Sequence, residues 1–203
     1  MTIMKSTFYI LSIIFLIGAC KNDNQKEVNK HNNQDQEEKI STKTEVKVVN
    51  EGTYLCKING KDWGYTKASG IVSKNKKTGK RTAIITFKKK LEKGSESVQL
   101  KYDGDTFKLE SASLQLKFPK KDGNLMTGFY DLFPDTRDRN PESEMSGIID
   151  LSNATTASGI AELIKFNMKY EKELLENPKD AVITVSGLKF SGIGYSDLDK
   201  LFK

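Results

Sequence analysis

The chain has 203 residues, a formal net charge of +6, two cysteines and one histidine. With 36% hydrophobic and 30% charged residues it supports one packed core, and its length excludes two full-sized domains. The lone histidine, His31, falls in a polar stretch without aromatics. That position excludes Ser-His, Cys-His and histidine-ligated zinc sites from the folded part of the chain.

In chain order, Lys5 precedes an apolar run from Phe8 to Ala19. The run is about a dozen residues, short of the roughly twenty that a permanent membrane helix needs, and fits a cleaved export signal. Ile17-Gly-Ala-Cys20 resembles the lipobox of bacterial lipoproteins, in which small residues precede the acylated cysteine. The resemblance implies that residues 1 to 19 are a signal peptide, that Cys20 is the lipid attachment site, and that long acyl chains hold the protein on a membrane. Lys21 in place of aspartate after the cysteine implies, by the family sorting rule, the outer membrane.

Residues 20 to 50 read as a lipid-anchored tether. Asn, Gln, Lys and Glu dominate it, so it cannot bury enough apolar surface to offset its chain entropy. A flexible coil of this length holds a domain on the order of 30 Å from the membrane.

Residues 51 to 203 repeat one signal, short alternating apolar and polar runs separated by Gly, Asn, Asp, Lys or Pro, and this predicts an all-β domain. Asn59-Gly60, between Tyr54–Ile58 and Asp62–Tyr65, predicts a type I′ hairpin. Tyr54, Cys56 and Ile58 are expected on one buried face. Cys56 has no intramolecular disulfide partner once Cys20 is acylated, and Trp63 is expected as a core anchor. Ala83, Ile85 and Phe87 share a face, as do Val98, Leu100 and Tyr102.

Apolar parity changes between Phe107–Leu109 and Leu114–Phe118, which predicts a bulge near Ser111-Ala-Ser113. The same slip between Ile183–Val185 and Leu188–Phe190 predicts another at Ser186-Gly187. Long bulged strands point to an antiparallel β-sandwich or a curved barrel-like sheet. A turn at Glu171–Glu176 is expected before Asn177-Pro178. A short C-terminal helix, capped by Ser196 with Asp199 in return, is expected to pack Leu198, Leu201 and Phe202 on the sheet.

The domain also resembles small, uncharacterised Bacteroidota lipoproteins, through Ile58-Asn-Gly-Lys-Asp-Trp63, Gly128-Phe-Tyr-Asp-Leu132, Ser146-Gly-Ile-Ile-Asp-Leu151 and Val182–Phe190. The resemblance implies a β-sheet domain in an outer-membrane or surface lipoprotein, on the periplasmic or the cell-surface face, and carries over no activity.

No catalytic residue, metal or cofactor is expected. Ser73-Lys-Asn-Lys76 and Lys77-Thr-Gly79 match two signatures of penicillin-binding enzymes, but they abut in one loop where those motifs need a helix start facing a distant strand. Asp131, Asp135, Asp138, Glu142 and Glu144 fall in or beside one proline-containing loop. Calcium binding or glycoside cleavage by two of them is weighed against a solvated connection that Arg137 and Arg139 neutralise. The lysine runs at Lys74–Lys77, Lys88–Lys90 and Lys120–Lys121 offer attraction to anionic sugars or lipid head groups, or simply solvated strand ends. Arginine forks and aromatics do not cluster with them, so no nucleic-acid partner is expected.

The leading functional expectation is a non-catalytic envelope lipoprotein, bound to the membrane through its N-terminal lipid and binding an envelope protein or glycan through loops such as 133 to 144. The alternative is a lipocalin-like carrier of a small apolar ligand inside a closed barrel. A carboxylate hydrolase comes third.

Overall fold

Turn chemistry opens the domain. In the computed structural model, which describes residues 52–201, β1 (Thr53–Ile58) and β2 (Lys61–Tyr65) form the expected hairpin, with Asn59 at φ 48° and Gly60 at φ 77°. Those two positive angles are what a type I′ turn demands. The expected signal peptide, Cys20 and the tether lie outside the described residues. A register shift between Tyr54 and Cys56 corrects the expected buried face. The bulge turns Tyr54 outward, 54% exposed, and brings Leu55 inward beside Cys56 and Ile58. Cys56 is a buried free thiol, and burial pushes its pKa up to about 12, out of range of thiolate chemistry at neutral pH.

β3 (Lys67–Lys74), β4 (Arg81–Lys90), β5 (Ser95–Asp103), β6 (Leu109–Pro119) and β7 (Leu125–Leu132) follow as an antiparallel meander. Ala83, Ile85, Phe87, Val98, Leu100 and Tyr102 are all buried, as their alternation requires. The β6 bulge falls at Glu110, one residue before the expected site, between the Lys101–Ser111 and Tyr102–Leu109 pairs. It restores burial of Leu114 and Leu116.

Phe107, expected on the face of Leu109, is instead exposed at φ 62° in the preceding turn. Asp103 shapes that turn: Oδ1 accepts the backbone N–H of Asp105 at 2.9 Å and of Thr106 at 2.7 Å. The Thr106 and then the Asp105 N–H, against a small desolvation cost, lower the Asp103 pKa from 3.8 to about 2. A carboxylate whose folded pKa is depressed stabilises above its unfolded value and loses that contribution as pH falls through the folded one. The turn therefore gains on the order of 1 kcal/mol, discounted for solvent screening, and loses it between about pH 4 and pH 2. Asp103→Asn should lower the urea midpoint at pH 7 and narrow the gap between the midpoints at pH 5 and pH 2.5. An unchanged gap would refute this role.

The second layer contains β8 (Glu144–Asp150), β9 (Thr156–Asn167) and β10 (Val182–Asp197), with strand order β2-β1-β10-β9-β8. The bulge expected at Ser186-Gly187 lies between the Val185–Leu163 and Leu188–Ala161 pairs, with Gly187 at φ 65°. A further bulge between Phe190 and Ile193 has Gly192 at φ 66°. These bends let the last residues of β10 leave one layer and pair with β3 in the other, through Tyr195–Gly70, Ser196–Ile71 and Asp197–Val72. This pairing is parallel, a correction to an all-antiparallel reading; every other strand pair is antiparallel.

The fold is all-β and sandwich-like, and it is not a closed barrel. Single bridges, Lys108–Ile148 and Tyr130–Met168, join the layers at their margins where a barrel would have continuous ladders. Residues 168–176 run along β6 and β7: Lys169 N–H donates to the Phe129 carbonyl, Lys121 N–H to that of Leu174, and Glu176 N–H to that of Pro119. The open edge of β7 is thereby covered at Phe129 and Tyr130.

Between the layers, Phe190 of β10 meets Phe87 and Tyr102 of the facing layer. The Tyr102 hydroxyl donates across the gap to the Ile160 carbonyl. Trp63, Phe87, Tyr102 and Phe166 are buried, and Phe118 packs against the same core. The carrier expectation requires that volume to be vacant, and side chains fill it.

The turn expected before Asn177 is a 3-10 helix, Lys172–Leu174, followed by a second, Pro178–Ala181. At the C-terminus, α1 (Leu198–Leu201) is present but is not capped by Ser196. Strand pairing with β3 extends through Ser196 and Asp197, so the cap shifts: Asp197 Oδ1 accepts the Asp199 N–H. Asp199 Oδ1 instead accepts the N–H of Lys74. Leu201, expected to pack on the sheet, is exposed, and Phe202 lies outside the described residues. Among the described residues no helix is long and apolar enough to cross a membrane.

Candidate binding surface

The loop singled out in the sequence folds into a defined shape. Pro134 starts a 3-10 helix, Pro134–Arg139, where its missing N–H costs nothing. Thr136 Oγ1 accepts the Phe133 N–H and donates to the Phe133 carbonyl, both at 3.1 Å. Asn140 closes the far end, donating from Nδ2 to the Thr136 carbonyl.

The five acidic residues of this region do not converge. Asp131 pairs with Lys169 at 2.7 Å and Glu142 with Lys165 at 3.2 Å. Asp135 and Asp138 are exposed on the 3-10 helix, and Glu144 begins β8. Among the described residues no three metal-ligating side chains are grouped. Ser73–Lys76 and Lys77–Gly79 lie at the end of β3 and in the β3–β4 turn, where Asn75 Oδ1 accepts the N–H groups of Lys77 and Thr78.

What the structure does assemble beside the loop is an aromatic surface. Alternation along β7 points Phe129, Asp131 and then Phe133 outward, while Met126, Gly128, Tyr130 and Leu132 point in. The covering segment lays Lys169 and Tyr170 alongside, through the hydrogen bond from Lys169 N–H to Phe129. Phe129 is 40% exposed and Tyr170 64%. Lys169 Nζ sits 5.9 Å from the Phe133 centroid while paired to Asp131. Its pKa is raised, first by the Asp131 hydrogen bond. Arg137 and Arg139, two of the chain's three arginines, are exposed on the adjoining 3-10 helix. Neither has an ion-pair partner among the described residues.

A second feature lies at one mouth of the sandwich, where the β1–β2 hairpin meets the ends of β4, β5 and β6. It is a cleft of about 450 Å³ walled by Ile58, Trp63, Leu116 and Phe118. Glu96, buried beneath it, accepts Trp63 Nε1–H at Oε2, 2.8 Å, and the Lys117 N–H at Oε1, 3.0 Å. Lys89 Nζ stands 3.6 Å from Oε2. Among the described residues every buried side-chain nitrogen and oxygen has a partner.

Sequence reasoning located the loop but missed Phe129 and Tyr170 as its aromatic neighbours, and missed Glu96 altogether. Comparison with protein-family models, curated proteins and solved structures gives no significant match.

Proposed function

We propose that this chain is a non-catalytic lipoprotein of the bacterial envelope, anchored at the outer membrane through Cys20, whose β domain binds an envelope protein through the Phe129–Phe133–Tyr170 face. The observation that carries the binding role is the coincidence of exposed aromatics, an ion pair and two arginines without ion-pair partners on β7, the 3-10 loop that follows it and the segment paired with it. Exposed Tyr, Phe and Arg in company are the composition of protein-interface cores. A lysine-rich, solvated face has the opposite composition, and lysine is the common cation of this chain. The lipobox-like Ile17-Gly-Ala-Cys20 and the polar tether support the anchor.

The test places a photo-crosslinking residue at Tyr170 or Phe133 of the full chain in intact cells, with Ser97 of the β5 outer face as control. The expected result is one adduct of defined mass from Tyr170 and Phe133, reduced at least about tenfold by Arg137→Glu with Arg139→Glu, as loss of interface anchors predicts. It should fractionate with the outer membrane, and Cys20→Ala should release it. Equal adducts from Ser97, or none from any position, would overturn the binding face, whereas membrane retention of Cys20→Ala would overturn the anchor.

A further inference from the structure

The cleft beside Trp63 is lined by charged side chains as well as by the core. Alternation puts Lys61 in phase with Trp63 on β2, Lys89 in phase with Phe87 on β4, and Glu96 in phase with Val98 on β5. Three positions that face the core elsewhere on these strands are thus charged at this mouth. Both Glu96 oxygens are occupied, by Trp63 and Lys89 and by the Lys117 N–H. The other two carboxylates at the rim are also engaged, Asp62 by Lys57 at 3.5 Å and Asp180 by Asn177 Nδ2 at 3.1 Å. Asn59 is spent as well, its amide bridging the Val182 carbonyl and the Thr184 N–H. The Lys61 ammonium has no hydrogen-bond or ion-pair partner among the described residues. Lys117, the remaining lysine of the lining, gives its ammonium to Thr127 Oγ1 at 2.6 Å. What the cleft offers an incoming molecule is therefore one ammonium without a partner among the described residues, beside an apolar wall of Ile58, Trp63, Leu116 and Phe118.

We propose that this cleft is a binding site for a small amphipathic organic anion, one with a flat or alicyclic apolar body against Trp63 and Phe118 and a carboxylate or sulfonate on Lys61. The volume matches a compound of drug size. A purely apolar ligand would leave the Lys61 charge partly desolvated without compensation, and a cation would face it directly. The site is separate from the interior of the sandwich, which is filled, and from the aromatic face of β7.

Trp63 is the only tryptophan in the chain, so its fluorescence reports on this cleft alone. The experiment titrates the full chain, held in phosphatidylcholine vesicles, with a naphthalene sulfonate and in parallel with the corresponding neutral naphthyl alcohol, reading Trp63 emission. The sulfonate should give a saturable change, with the alcohol clearly weaker. Lys61→Ala should weaken the sulfonate by about tenfold, the worth of one charge-assisted contact, and leave the alcohol unchanged, while Lys61→Arg should restore binding. The absence of a saturable change in the parent chain, or equal binding of alcohol and sulfonate, would overturn the proposal. So would a loss in Lys61→Ala that is the same for both compounds.

Discussion

Glu96→Ala should destabilise the domain by about 3 kcal/mol, the cost of leaving buried donors and a half-buried cation without their common acceptor. The side chain is 6% exposed and its two oxygens serve three groups, the Trp63 indole, the Lys117 amide and the Lys89 ammonium. Alanine strands the indole and the amide N–H groups where water reaches poorly, and removes the counter-charge of Lys89. Glutamine should cost less, about 1–2 kcal/mol, because its carbonyl still serves one donor while its NH₂ confronts another. Thermal unfolding followed by circular dichroism separates the variants, with an expected fall in Tm of roughly 6–12 °C for alanine. Glu92→Ala, on the exposed β4–β5 turn, should stay within about 0.5 kcal/mol of the parent. A Glu96→Ala variant as stable as Glu92→Ala would show that the Trp63–Glu96 contact contributes nothing net. The Trp63→Phe variant supplies the coupling: combined with Glu96→Ala it should lose less than the sum of the two, since the indole donor is then already gone.

The same residues show what in this chain is legible before its structure. Asn59-Gly60 is local chemistry, a pair whose φ preferences specify the turn without reference to anything distant, and the hairpin forms there. The alternations of β4 and β5 are equally local. The bulges at Glu110 and Gly187 are legible to within about a residue because a buried face that changes parity must slip somewhere. The bulge after Tyr54 is not, because Tyr54, Leu55 and Cys56 are all apolar enough to face inward and only packing selects two of them. The parallel pairing of β10 with β3 leaves no local mark on either strand. It depends on glycine-assisted bends that carry β10 between layers, and it displaces the Ser196 cap that the local sequence favours.

Glu96 was missed although a signal for it exists: like Lys89 it sits in phase with a run of core residues, and a charge on core parity at a strand end is the signature of a polar mouth. Tyr170 carries no such signature. Its position beside Phe129 follows from the need to cover the β7 edge, a requirement of the assembled sheet.

Phe190→Ala should destabilise the domain by about 4 kcal/mol, with a fall in Tm on the order of 10 °C. Phe190 is the residue through which β10 reaches the opposite layer: its ring lies 5.3 Å from Phe87, edge to face, and 6.5 Å from Tyr102, centroid to centroid. It is 4% exposed, so truncation opens a cavity between layers that rigid strands cannot close, and removes the aromatic contacts as well. On its own layer Phe190 faces Gly159 of β9, where a Cβ would fall 2.7 Å from the Phe190 ring and 2.8 Å from the Ile148 carbonyl oxygen. The ring thus occupies the space that the glycine vacates, which rescues a strand position otherwise weak in packing. Gly159→Ala should be destabilising for that reason. In the Phe190→Ala background it should cost less, because the ring clash disappears while the carbonyl clash remains. A double-mutant cycle on thermal unfolding measures the difference. Partial recovery would establish ring and glycine as one packing unit; strict additivity would mean that the Ile148 carbonyl alone sets the requirement for glycine, and that Phe190 acts only across the layers.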